Sequence, residues 1–187
     1  MSAVLDIDRL LALHDGAVSP RPGAAPWADI AANHASNASL WDEEDLARRT
    51  GVPDAQIVAN KRAIDRFNQE RNDAVERIDV ALLASLPPAP EGARLHSETA
   101  GMMIDRLSIL ALKVRAMGAQ ATRADADEAH RTQCRARLER LEAQRADLAA
   151  CLRTLLADCI AGRACYRIYR QFKMYNDPAL NPHLARR

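Results

Sequence analysis

Aromatic residues are scarce in this chain, at 4% of its 187 positions, and runs of β-branched residues are missing. A sandwich or barrel built on alternating aromatic and β-branched strands is therefore excluded. No apolar run approaches the roughly 18 to 20 residues that a membrane-spanning helix requires. Lys+Arg number 26 against 25 Asp+Glu, so the basic footprint of a nucleic-acid or anionic-membrane binder is lacking. The four cysteines (Cys134, Cys151, Cys159, Cys165) show neither CxxC nor zinc-site spacing and read as reduced small hydrophobes of a cytoplasmic protein. Asp6, Asp8 and Arg9 interrupt the N-terminal MSAVLDIDRLLALHDG, and no cationic segment precedes it, so it is not expected to be a secretory signal. A Gly-rich phosphate loop and a dinucleotide fingerprint are both missing. His14, His34, His96, His130 and His183 are scattered without a nucleophile pattern, which argues against a catalytic triad.

Ala, Leu and Arg abound instead, and their spacing predicts an all-α protein: a single antiparallel helical bundle of four long helices plus short terminal helices, one domain over 1–187. The long helices are expected at 27–50, 53–85, 97–117 and 126–161. A short helix over 3–14 and the loop after it are peripheral, and 176–187 is a tail. Gly51 with Pro53, the LPPAPEGARLH loop, Gly118 and Gly162 punctuate the chain. Ser97 is expected to cap the third long helix and Asp125 with Glu128 the fourth. RACYRIYRQFKMY reads as a last basic, aromatic helix.

The third long helix, ETAGMMIDRLSILALKVRAM, is apolar nearly all round and so belongs at the centre of the fold. Yet it carries Asp105, Arg106 and Lys113. A buried carboxylate costs several kcal/mol unless it is paired, hydrogen-bonded or metal-bound. Asp105 is therefore either part of a structural ion network or a functional acid with basic neighbours placed for a phosphate or sugar acid. Other polar residues share helix faces at steps of three and four: Asn33, Asn37, Glu44 and Arg48 on the second helix. Asn68, Asn72, Glu76 and Asp79 run beside an apolar stripe on the next, where amides need a hydrogen-bond task. Glu70, Asp73, Glu76 and Asp79 form an E-x-x-D ladder that turns about the cylinder, so only part of it can face one site. With WDEED upstream, this spacing is loosely similar to helical Mg²⁺-dependent nucleotide pyrophosphohydrolases.

Four stretches, NASLWDEEDLARR, KRAIDRFNQERNDAVERID, ETAGMMIDRLSILALK and YRQFKMYNDPALNP, together resemble a bacterial domain-of-unknown-function family, the one numbered four-two-five-four. Its members tend to lie near genes for glycosyltransferases of lipopolysaccharide and other surface glycans. The resemblance implies a role there, with Trp41, Glu44, Asp45, Arg48, Asn68, Asn72, Asp73, Asp105, Arg106, Lys113, Lys173, Tyr175 and Asn176 in one constellation. The expected function is binding or conversion of a phosphorylated sugar or nucleotide-sugar. Glu44, Asp73 and Asp105 would hold Mg²⁺ or move protons, converging within roughly 5 Å. Arg48, Asn68, Asn72, Arg106, Lys113, Lys173, Tyr175 and Asn176 would contact the substrate. The C-terminal segment would fold back over the site, anchored by Phe172 and Tyr175. The alternative is a non-catalytic scaffold, a partner of a glycosyltransferase or a homodimer, whose buried charges fix helix register.

Overall fold

The structure, a computed structural model, describes residues 4–19, 25–170 and 177–184 and is mostly helical. Helix α1 (Ile7–His14) starts at Asp6, whose carboxylate accepts the Arg9 backbone N–H at 3.0 Å. Helix α2 (Trp27–Leu46) and α3 (Asp54–Ala84) follow. They run antiparallel: Arg77 Nε donates to Asp29 at 2.6 Å near one end, and Asn60 Nδ2 to Glu43 at 2.6 Å near the other. Gly51, at φ +76°, makes the turn between them in a left-handed conformation that a side chain disfavours. Helix α4 (Ala100–Ala121) and α5 (Glu128–Ile160) pack as a second pair.

Helix α4 touches each of the other four, as its all-round hydrophobicity predicts. Ile104 and Leu107 are fully buried, together with Leu10 of α1, Ile30 of α2, Ile78 of α3 and Leu152 of α5. The first turn of α4 comes so close to α3 that a Cβ on Gly101 would lie 2.7 Å from the Val75 carbonyl oxygen and 2.8 Å from the Asp79 carboxylate.

Several boundaries differ from expectation. Thr99, not Ser97, caps α4 by accepting the Met102 N–H. Gly118 does not close that helix, which runs on to Ala121, because an exposed or half-buried glycine costs a helix only about 1 kcal/mol. Asp127, not Asp125, caps α5, accepting the His130 N–H at 2.7 Å. Helix α2 stops at Leu46, four residues short of its expected end. The segment after Gly162 is not a helix where it is described. It opens as strand β2 (Ala164–Cys165), parallel to β1 (Arg94–Leu95), joined by Arg94 N–H to Arg163 O at 3.0 Å and His96 N–H to Cys165 O at 2.7 Å. Tertiary pairing wins there over local propensity. No helix among the described residues is long and apolar enough to cross a membrane.

Candidate functional site

Three helices bring polar side chains to one place beside the core. Asn33 and Asn37, one turn apart on α2 and both buried, each donate an amide hydrogen to Asp105 Oδ1 on α4 at 2.9 Å. The Asn37 amide nitrogen also lies 3.0 Å from Ser108 Oγ, and Ser108 Oγ lies 2.8 Å from His34 Nδ1. Asp105 thus takes its hydrogen bonds from neutral amides rather than from the adjacent Arg106, and its nearby charge is the partly buried Arg71. Both amides go to the same oxygen; among the described residues none donates to Oδ2. Among the described residues Arg71 of α3 comes nearest of the cations, its Nε 3.7 Å from Oδ1, too far for a hydrogen bond. That Nε is buried and has no hydrogen-bond acceptor among the described residues.

Arg71 stands between two cavities. The first, about 250 Å³, is lined by Arg71, Asn72, Asp79, Glu98, Asp105 and Arg106, with Glu76 at its wall. Arg106 pairs with Glu98 across it at 2.5 Å. Asp79 is fully buried and accepts the Gly101 N–H at 2.6 Å and the Thr99 hydroxyl. Burial nevertheless raises its carboxyl to about 6, against the opposing pull of those two bonds. The second cavity, about 310 Å³, is lined by Asn37, Trp41, Glu44, Asp45, Arg48 and Arg71, over an apolar floor of Leu40, Ile109 and Leu112.

Of the residues singled out in the sequence, Trp41, Glu44, Asp45, Arg48, Asn72, Asp105 and Arg106 line these two cavities. Arg48 is largely exposed and pairs with the half-buried Glu44 at 2.8 Å. Asn68 is half-buried on α3 and lines neither cavity, while Lys113 is exposed. Asp73 points elsewhere: it accepts from Gln69 at 2.6 Å and lines a groove with Phe67, Glu70 and Arg77. The expected meeting of Glu44, Asp73 and Asp105 is therefore corrected. The E-x-x-D ladder turns Glu70 and Asp73 to that groove and Asp79 to the first cavity, with Glu76 lying between the two. Among the described residues, no three His, Cys, Asp or Glu side chains gather as a metal-holding group. Phe172, Lys173, Tyr175 and Asn176 lie outside the described residues.

Arg71, Ser108 and the histidines were not anticipated. His14 and His34, read as scattered, stack with ring centroids 4.9 Å apart and planes at 25°. Their only trace in the sequence was polar residues on otherwise apolar faces.

No curated protein and no solved structure matches this chain. A family model described as protein of unknown function (DUF4254) matches residues 27–168, from the first residue of α2 past β2. The match takes in the lining of both cavities except Tyr169 and only part of the C-terminal stretch, and the chain belongs to that family.

Proposed function

We propose that the two cavities form one groove that binds a phosphorylated sugar or nucleotide-sugar, as a member of a surface-glycan pathway. The observation that carries this reading is Arg71, a partly buried guanidinium between the cavities whose Nε lacks an acceptor among the described residues. Such a group gains a charge-assisted bond when a phosphate oxygen arrives. Asp105 Oδ2 is suited to accept a sugar hydroxyl, since the amides hold only the other oxygen. Trp41 and the apolar floor of the second cavity suit the flat face of a sugar or base. Glu76, Asp79, Glu98 and Asp105 outnumber Arg71 and Arg106 around the first cavity, so a phosphate there is helped by an accompanying Mg²⁺. The frame we infer for this groove is a single antiparallel bundle of the four long helices.

Titration calorimetry with glucose 1-phosphate and UDP-glucose, with and without Mg²⁺, tests the reading. At least one should bind, and Arg71→Met should weaken it tenfold or more, the worth of about one charged hydrogen bond. Lys113→Ala, on an exposed position outside both cavities, should change it less than twofold. Failure of both probes under all conditions, or binding indifferent to Arg71→Met, would overturn it. If Asp105→Asn then proved only destabilising, the polar network would be a structural device alone.

A further inference from the structure

We propose that His34 is a positioning residue for Asp105, acting through Ser108 and Asn37, and that its ring proton is thereby linked to ligand binding in the groove. This rests on the reading of the groove given above. The hydrogen-bond directions follow from chemistry. Asn33 and Asn37 must present their NH₂ groups to a carboxylate that only accepts. Asn37 then has its second amide hydrogen for Ser108 Oγ at 3.0 Å, nearer than Asn33 Oδ1 at 3.4 Å, leaving the Ser108 hydroxyl hydrogen for His34 Nδ1 at 2.8 Å. With that assignment the chain of bonds is completed by a neutral His34 protonated on Nε2.

A proton on Nδ1 reverses the last link. The ring would then donate to the second lone pair of Ser108 Oγ, and the Ser108 hydrogen, on a residue with 0% exposure, would lose its acceptor. Ser108 must turn its hydroxyl to another acceptor, which shifts the lone pair offered to Asn37. That loosens the hold on Asp105 Oδ1.

The surroundings keep the ring neutral at ordinary pH. From α1 and its end, His14 stacks on the ring and Asp15 lies nearby; α4 contributes Arg115 and α5 contributes Arg145. Burial lowers the His34 ring most, and Arg115 and Arg145 add to this against the opposing pull of Asp15. Asp15 is itself paired with Arg145 at 2.9 Å. The His14–His34 stack is a place where a second positive charge would meet the first.

The deciding experiment uses the full chain with ¹³C-labelled aspartate and histidine, followed by NMR as the pH is lowered. The Asp105 carboxyl carbon should show, besides its own titration, a second inflection at the pH where the His34 ring titrates. Ser108→Ala should abolish that second inflection, which a field acting through space would leave in place. Binding of glucose 6-sulfate, whose charge is constant over the range, should weaken roughly fivefold as His34 protonates, the equivalent of about one net hydrogen bond. No second inflection, one that survives Ser108→Ala, or a ring that stays neutral until the fold is lost would each overturn the proposal. If glucose 6-sulfate binds at no pH while the linked inflection is present, the groove reading fails on that ligand, and the coupling of His34 to Asp105 stands.

Discussion

Gly101→Ala should lower stability by about 3 to 5 kcal/mol, seen as a fall of roughly 10 °C in the thermal midpoint. An alanine Cβ at this position would sit 2.7 Å from a backbone oxygen of α3 and 2.8 Å from a buried carboxylate. Real Cβ atoms do not approach so closely, so α3 and α4 must move apart. The movement also stretches the 2.6 Å bond by which Asp79 accepts the Gly101 N–H. That leaves a first-turn donor and a buried acid short of a partner, and the cost of breaking a buried polar pair adds to that of overpacking. Asp79→Ala in the same chain should recover only part of the loss, because the Val75 carbonyl remains in the way. Denaturant unfolding of the two single variants and the double variant measures both effects. A loss below about 1 kcal/mol for Gly101→Ala would show that the helices are not held this close.

The second large effect is on the pH dependence of stability, where two buried groups oppose each other. Burial first, then His34 and Arg145, lowers the His14 ring from 6.5 to about 3. The unfolded chain takes up a proton at His14 below about pH 6.5 and the folded chain does not. Stability from this residue is full above that pH and is lost on acidification, by about 1.4 kcal/mol per pH unit, until the folded ring titrates. Asp79 runs the other way. Its folded carboxyl titrates at about 6 rather than 3.8, so it favours the fold below 3.8 and loses that contribution as pH rises to about 6. The loss over the window is about 3 kcal/mol.

Between about pH 4 and 6 the two slopes nearly cancel, and the wild type should look flatter than either residue alone would make it. His14→Phe keeps a ring in the stack and removes its titration, so stability should fall as pH rises through the window. Asp79→Asn should give the reverse, a steeper loss toward acid, reinforced by His34, whose ring is lowered in the same direction. Urea midpoints for the three proteins at half-unit steps of pH would reveal the divergence. Parallel profiles would refute the assignment.

The helical architecture and the central place of α4 were legible because each rests on local pattern: apolar residues on every side of one helix, and Gly and Pro between helices. Asp105 was legible for a related reason, since a carboxylate inside such a helix demands a partner. The partner's identity was not. Arg106 is adjacent in sequence and of opposite charge, yet it turns outward to Glu98, and the acid is satisfied by two amides more than 65 residues earlier. Helical periodicity fixes which residues share a face but not how two helices are rotated against each other. Asn33 and Asn37 could thus be placed on one face without being assigned to Asp105. The same ignorance of rotation put Asp73 in the site and left Arg71, two residues away, out of it. Strands of two residues have too few positions to show an alternating pattern, so β1 and β2 left no signal.

That small parallel pairing also bears on the order in which the molecule assembles. Arg94 and Ala164 are about 70 residues apart in the chain, whereas α2 with α3 and α4 with α5 are joined by short connections. Closing a loop that long for two backbone bonds is unfavourable until α4 and α5 have already brought its ends together. The pairing should therefore be a latch that shuts late and opens early. The amide hydrogens of Arg94 and His96 would exchange with solvent faster than those of Ile104 and Leu107 while the helices stay folded. Equal protection at all four positions would instead make the latch part of the same cooperative unit as the core.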